Sequence, residues 1–210
     1  MTMPEPLRPF TSKLVPLLAD NVDTDQIIPA RFLKGTSKAG LGEGLFADWR
    51  YDGDGNPREG FVLNRPEMAG RSVLLAGANF GSGSSREHAA WALQAFGFRA
   101  VLAPLFADIF RNNALKNGLL PVELPADAHA ELAAAVEADP DAEVTVDLEA
   151  ETVTFPGGRT VGFGVDPFAR QMLLDGTDEL GYLLSRGAAV AAYEDAHPSR
   201  VDTTAPVWGG

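Results

Sequence analysis

The chain has 210 residues, with 17 basic against 29 acidic side chains, a formal charge of −12, and no cysteine. That balance excludes broad binding to a nucleic-acid backbone, which needs a basic face. The missing thiols exclude disulfides, a thiolate nucleophile and sulfur ligation of an iron–sulfur cluster by this chain.

The first ten residues, MTMPEPLRPF, lack a basic stretch followed by an apolar one, and no apolar run approaches membrane-spanning length. The expectation is a cytoplasmic protein without membrane contact. Residues 13–19 read as a strand. NVDTDQIIPARFLK, residues 21–34, reads as a polar turn running into Ile27, Ile28 and Pro29. Residues 35–60 hold many glycines and turn residues with little periodicity. They read as a long irregular excursion, of the kind that in a compact domain serves function or moves.

From residue 71 the pattern is regular. Residues 71–76 read as a buried strand, 85–97 as a helix ended by Gly97, and 99–104 as a strand. Residues 106–117 read as a helix stopped by Gly118, and 119–124 as a strand. Strands separated by helices of this length imply right-handed crossovers and a parallel sheet. A helix follows over 128–138, then a hairpin of 143–148 and 152–155, and a further strand over 160–165. Asp166-Pro167 opens another helix, and 178–193 hold one or two more. Residues 196–210, polar and proline-containing, read as a flexible tail. The fold class is α/β, a partly parallel sheet flanked by helices.

GANFGSGSSREHAAWAL, residues 77–93, joins a strand to a helix. It is not a P-loop, because no lysine follows Gly83. It is not a dinucleotide fingerprint, because Arg86 falls where the third glycine belongs. No serine has glycines two residues to either side, so it is not a nucleophile elbow. Gly77, Gly81 and Gly83 let the backbone turn and approach a ligand. Ser84, Ser85 and Arg86 then fall in the first helical turn, where free N–H groups and the dipole favour an anion. The guanidinium of Arg86 suits a carboxylate. The plain alternative makes a serine the helix cap and Arg86 with Glu87 an exposed pair. His88 reads as a structural hydrogen bonder. Asp23 and Asp25 lack calcium-loop spacing, His129 and His197 read as surface residues, and no zinc constellation is present.

Taken with NVDTDQIIPARFLK and FADIFRNNALKNGLLPVEL, residues 21–34 and 106–124, the GSGSSREHAAWAL segment resembles the small subunits of bacterial 3-isopropylmalate dehydratase (isopropylmalate isomerase). These correspond to the swivelling fourth domain of aconitase. The resemblance covers residues 14–193 and implies a swivelling β/β/α domain over 1–195, with a mobile excursion near 34–60. It implies a hydro-lyase of leucine biosynthesis, active only with a large, cysteine-bearing subunit that holds a [4Fe–4S] cluster. This chain is expected to bind no cofactor or metal itself. The substrate implied is a small dicarboxylate, 2-isopropylmalate, dehydrated to 2-isopropylmaleate and rehydrated to 3-isopropylmalate.

By the same resemblance Ser84 is the catalytic base toward the carbon-bound proton. Ser85 and Arg86 bind a substrate carboxylate, and Asp25 orients polar groups at the site. Lys38 stands where relatives often have arginine; it keeps the charge without the fork. Leu33, Leu41, Leu45 and Phe46 are expected to face the variable group of the substrate, and residues 34–44 to be loosely held. Two alternatives stay open: the same machinery acting on citramalate, homoaconitate or dimethylmalate, and a stand-alone carboxylate-binding regulatory module.

Overall fold

The structure, a computed structural model, describes residues 5–33 and 40–197. Its strands are β1 (Phe10–Leu17), β2 (Val73–Ala76), β3 (Ala100–Ala103), β4 (Leu120–Glu123), β5 (Glu143–Asp147), β6 (Thr152–Thr154) and β7 (Thr160–Gly162). Its helices are α1 (Thr24–Ile27), α2 (Leu41–Gly44), α3 (Ala47–Arg50), α4 (Glu87–Phe96), α5 (Asp108–Asn117), α6 (Ala126–Ala138), α7 (Pro167–Asp175), α8 (Glu179–Ser185) and α9 (Gly187–Ala196). The strands lie in the order β4-β3-β2-β1-β5-β6-β7.

β1 belongs to two ladders. Residues 14–17 run parallel to β2, Leu14 beside Val73 and Leu17 beside Ala76. Residues 10–13 run antiparallel to β5, Phe10 opposite Val146 and Lys13 opposite Glu143. The parallel half is covered on both faces, which is why β2 and β3 are apolar at every position and fully buried. Alternate residues serve opposite faces: Val73, Leu75 and Leu102 meet Leu132 of α6 and Met172 of α7. Leu74, Ala76 and Val101 meet Leu93 of α4 and Phe110 of α5. The expected mixed α/β sheet is therefore present, with its strand and helix boundaries shifted by a few residues.

Two segments depart from expectation. Residues 24–27 form a helical turn, because Asp23 caps it and Gln26 reciprocates in a capping box. In the excursion, residues 34–39 lie outside the described residues, but from Gly40 onward the chain is packed. Leu41, Leu45 and Phe46 are buried. A Cβ on Gly42 would stand 2.9 Å from the Ala95 backbone, and one on Gly44 2.7 Å from Ile28 and Phe32. Gly42 permits close approach of α2 to α4, and Gly44 to Ile28 and Phe32, a use different from the freedom of a turn glycine. Composition alone cannot tell the two uses apart.

Arg71 fixes the point where β1 changes ladder. Its side chain is 3% exposed. Nη1 donates to the Leu14 carbonyl at 2.8 Å and the Pro140 carbonyl at 2.6 Å, and Nε to the Glu67 carbonyl at 2.9 Å. Nη2 lies 3.1 Å from Asp141, whose carboxyl is held below the usual range by a hydrogen bond from Lys13. Arg71→Met is expected to leave the Leu14 carbonyl buried without this donor and to destabilise the chain by about 3 kcal/mol. Urea unfolding measures this; an unchanged midpoint would show that the guanidinium is dispensable to the β1 junction.

Candidate active site

The loops that follow β1, β2 and β3 leave the same edge of the sheet, the carboxyl edge, where open α/β sheets bind ligands. They stay laced together beyond the strands. Asn21 N–H donates to Ala78 O, Gly81 N–H to Val22 O, and Thr24 N–H to Ser82 O, each at 2.8 Å. Phe80 N–H donates to Leu105 O at 3.1 Å, and Ala107 N–H to Phe80 O at 3.0 Å. Side chains add to this: Asp20 accepts from Ala78 N–H at 2.7 Å, and Asn79 donates to Asn21 at 2.9 Å. The buried hydroxyl of Thr24 donates to the Ser84 carbonyl at 3.0 Å.

Gly81 lies in the left-handed region at φ +79°, and a Cβ there would stand 2.2 Å from the Phe110 ring. A Cβ at Gly77 would meet the Ala19 carbonyl at 2.3 Å. Both glycines thus bring the turn against its own chain. Gly83, at φ +89°, has more room around it.

The helix also begins later than expected. α4 opens at Glu87, and Arg86 is its N-cap without a side-chain cap bond. Ser84 and Ser85 precede the first turn instead of lying in it, because Thr24 and the left-handed Gly83 hold the chain in a bend. Both serines are exposed, and among the described residues neither hydroxyl is hydrogen-bonded. The guanidinium of Arg86, 20% exposed, donates through Nη1 to Oδ1 of Asp25, which is 53% exposed. Asp25, Ser84, Ser85 and Arg86 thus share one corner, although 61 residues separate the ion pair in sequence. Lys38 lies outside the described residues.

Other expected roles change. Leu41, Leu45 and Phe46 belong to the core and do not face a ligand; Leu33 is half-buried. Among the described residues the buried Nε2 of His88 has no hydrogen-bond partner, and its ring packs 4.6 Å from that of Trp91. Packing, not hydrogen bonding through Nε2, holds His88. His129 is not a plain surface residue: its Nε2 donates to the Ala76 carbonyl at 2.8 Å, tying α6 to the end of β2. His197 is exposed as expected. Thr24 and His129 were missed because the crossing of α6 over β2, and of one loop over another, leaves no trace in spacing.

Cavities of about 350, 520 and 640 Å³ lie elsewhere, beside α5 and α7, beside α7 and α8, and beside α3. None is lined by Ser84, Ser85, Arg86 or Asp25. The described residues present the corner as an open half-site: two hydroxyls, a guanidinium and a carboxylate. Among the described residues no group of three His, Cys, Asp or Glu could hold a metal ion, and no helix is long and apolar enough to cross a membrane.

The mixed, partly parallel sheet with helices on its faces is that of an aconitase C-terminal swivel domain. The chain matches the Aconitase C-terminal domain family over residues 7–127 and the LeuD_N family over residues 130–167. It is 55% identical over 201 residues to a 3-isopropylmalate dehydratase small subunit from Roseiflexus sp. (strain RS-1), covering 96% of this chain and 98% of that one. Identity is 61% over 190 residues to the corresponding subunit of Anaeromyxobacter dehalogenans (strain 2CP-C), covering 90% and 97%. A crystal structure of 3-isopropylmalate dehydratase from Methanocaldococcus jannaschii superposes with a TM-score of 0.65 at 28% identity, covering 88% of this chain and 99% of that one. The chain belongs to the family of 3-isopropylmalate dehydratase small subunits, a hydro-lyase family of leucine biosynthesis. A small subunit implies a large-subunit partner.

Gly81→Ala tests the packing of the corner. The added methyl meets the Phe110 ring and strains a left-handed residue, so a loss of about 2 kcal/mol or more is expected in chemical denaturation. Wild-type stability in this variant would show that the turn yields without cost.

Proposed function

We propose that this chain, in the cytoplasm and paired with a large subunit bearing a [4Fe–4S] cluster, isomerises 2-isopropylmalate to 3-isopropylmalate. Water is removed to give 2-isopropylmaleate and added back with the opposite regiochemistry. The cluster does not fit this chain's own residues: the chain has no cysteine, and among the described residues no cluster of other ligands replaces it. Its ligands therefore belong to the large subunit, where an open iron would act on the departing hydroxyl. In this reading residues 1–195 move as one swivelling body over that partner.

The observation that carries the reading is the Asp25–Arg86 pair standing beside the exposed Ser84 and Ser85. Among the described residues Nη1 of Arg86 is bonded to Asp25. Asp25 thereby orients the fork and leaves its Nε and Nη2 edge for a substrate carboxylate. Ser85 donates to the same carboxylate. Lys38 adds charge for the diacid without a bidentate grip. Ser84 takes the carbon-bound proton as an alkoxide and returns it on rehydration. A serine hydroxyl is a very weak acid, so this needs positive potential from the α4 N-terminus and Arg86 in a site closed to water.

Citramalate, homoaconitate and dimethylmalate remain competing substrates, because the corner holds groups common to all such acids. The burial of Leu41, Leu45 and Phe46 removes three residues that could have favoured an isopropyl group. A stand-alone regulatory module is the second alternative. Reconstitution decides between them: the purified chain alone is expected to be inactive, and an anaerobically prepared large subunit to restore turnover, fastest on 2-isopropylmalate. Turnover by the chain alone would overturn the two-subunit reading.

Substitutions separate the roles within the corner. Ser84→Ala deletes the proton acceptor and spares the clamp, so kcat should fall about 10³-fold or more with little change in KM. Arg86→Lys keeps the charge and loses the fork, so KM should rise as kcat falls. Thermal melts confirm folding, since neither side chain is part of the core. A folded Ser84→Ala enzyme with near-normal kcat would place the base elsewhere.

A further inference from the structure

α8 and α9 expose apolar surface that the rest of the described fold does not cover. Leu180, Leu183, Leu184 and Tyr193 are each more than 60% exposed and Val190 is 47% exposed. Every residue of α9, GAAVAAYEDA, is exposed. Helices of seven and ten residues do not hold themselves together in water by propensity; they need a packed face. Here Tyr182 of α8 packs edge-on against Phe168 of α7 at 4.9 Å, and Glu179 pairs with Lys116 at 3.5 Å. Those contacts anchor the root of the arm and leave its apolar side open. Exposed apolar side chains gathered on two successive helices mark an interaction site.

Charge selects the occupant. Residues 178–196 carry four carboxylates, Asp178, Glu179, Glu194 and Asp195, against one guanidinium, Arg186. Two copies meeting through this arm would bring like charges together, and the chain as a whole is at −12. We infer that the α8–α9 arm docks into an apolar groove of the large subunit edged by lysine or arginine. The inference rests on the large-subunit pairing proposed above.

Placement gives the arm a use distinct from the catalytic corner. Lys116 lies in the last turn of α5, next to the start of β4, and so at the amino edge of the parallel strands. Ser84 and Arg86 lie at the carboxyl edge. An arm rooted at the far edge can keep the subunits joined while the corner opens to exchange substrate. Joining two contact regions in one body makes the second contact effectively intramolecular.

The test is a full-length chain with Leu183→Gln, Leu184→Gln and Tyr193→Gln, titrated calorimetrically into purified large subunit beside the wild type. Loss of three apolar anchors is expected to raise Kd about 100-fold. At saturating variant, kcat should stay within about twofold of wild type, because the arm touches no reacting atom. Equal Kd for variant and wild type would overturn the arm while leaving the two-subunit reading intact. Failure of the wild type to bind the large subunit would overturn both. A wild-type dimer in sedimentation that the variant abolishes would assign the arm to a second copy. A lowered melting temperature in the isolated variant with unchanged Kd would assign the covering to residues 198–210 of the same chain. Either of these last results overturns the inference.

Discussion

The fold depends on β1 serving two ladders at once. A strand paired on one side only can slip; β1 cannot, because residues 14–17 are in register with β2 and residues 10–13 with β5. A one-residue shift would turn Leu14, Val15 and Leu17 to the wrong faces and break both ladders together. The junction is stitched from two directions. Ser12 donates to the Lys13 carbonyl at 2.7 Å and accepts from Ser72 N–H at 2.9 Å, while Arg71 holds the Leu14 carbonyl. With β1 and β2 fixed side by side, the loops that leave their carboxyl ends must run side by side as well. Asp25 and Arg86 meet for that reason.

The same constraint makes the back of the corner stiff. Asn21 and Asn79 both adopt left-handed backbone, at φ 57° and 56°, and their side chains bond to each other across the two loops. Asparagine tolerates that conformation better than most residues. Gly81 and Phe110 then lock the second loop against α5. This strain is supported from behind, where bonds are plentiful, and among the described residues the exposed front holds Ser84, Ser85 and the tip of the ion pair. A rigid back with an open front positions groups without enclosing them. In the proposed assembly the partner would supply the enclosure.

How much could be read from the chain follows from which interactions are local. Residues 71–124 were legible because strand alternation and helix periodicity are local signals, and because Gly97 and Gly118 end their helices where their sequence places them. The grouping of Ser84, Ser85 and Arg86 was legible locally, as hydroxyls and a guanidinium beside a helix start, but Asp25 joined them only through the resemblance of whole segments, since nothing local joins residue 25 to residue 86. The geometry of the turn was not legible. Two serines before a helix look like caps, but Thr24 holds the Ser84 carbonyl and delays the helix to Glu87. Gly42 and Gly44 look like loop glycines, but they are contact points for Ala95 and Ile28. Leu41, Leu45 and Phe46 looked available to a ligand because their burial depends on those contacts.

Charge completes the division of labour between this chain and its partner. Under the proposed function, a dicarboxylate approaching the corner would meet a chain of net charge −12. Most of that charge is distant and screened, since the Debye length at physiological salt is about 8 Å, so the near field decides. In that near field three carboxylates are already engaged, while the carboxylate of Glu87 in the first turn of α4 has no hydrogen-bond partner among the described residues. Asp20 accepts from Ala78 N–H, Asp23 from Gln26 N–H in its capping box, and Asp25 from Arg86. The arginine is thus partly neutralised by the residue that orients it. One half-neutralised guanidinium and one helix N-terminus are a weak trap for two carboxylates in open water. The same groups become strong when water is excluded and further positive charge faces them, because the effective dielectric falls. In the proposed two-subunit enzyme the chemistry of this surface is latent: Asp25 fixes the geometry of Arg86 beforehand, and the approaching large subunit would supply the low dielectric in which that geometry acts.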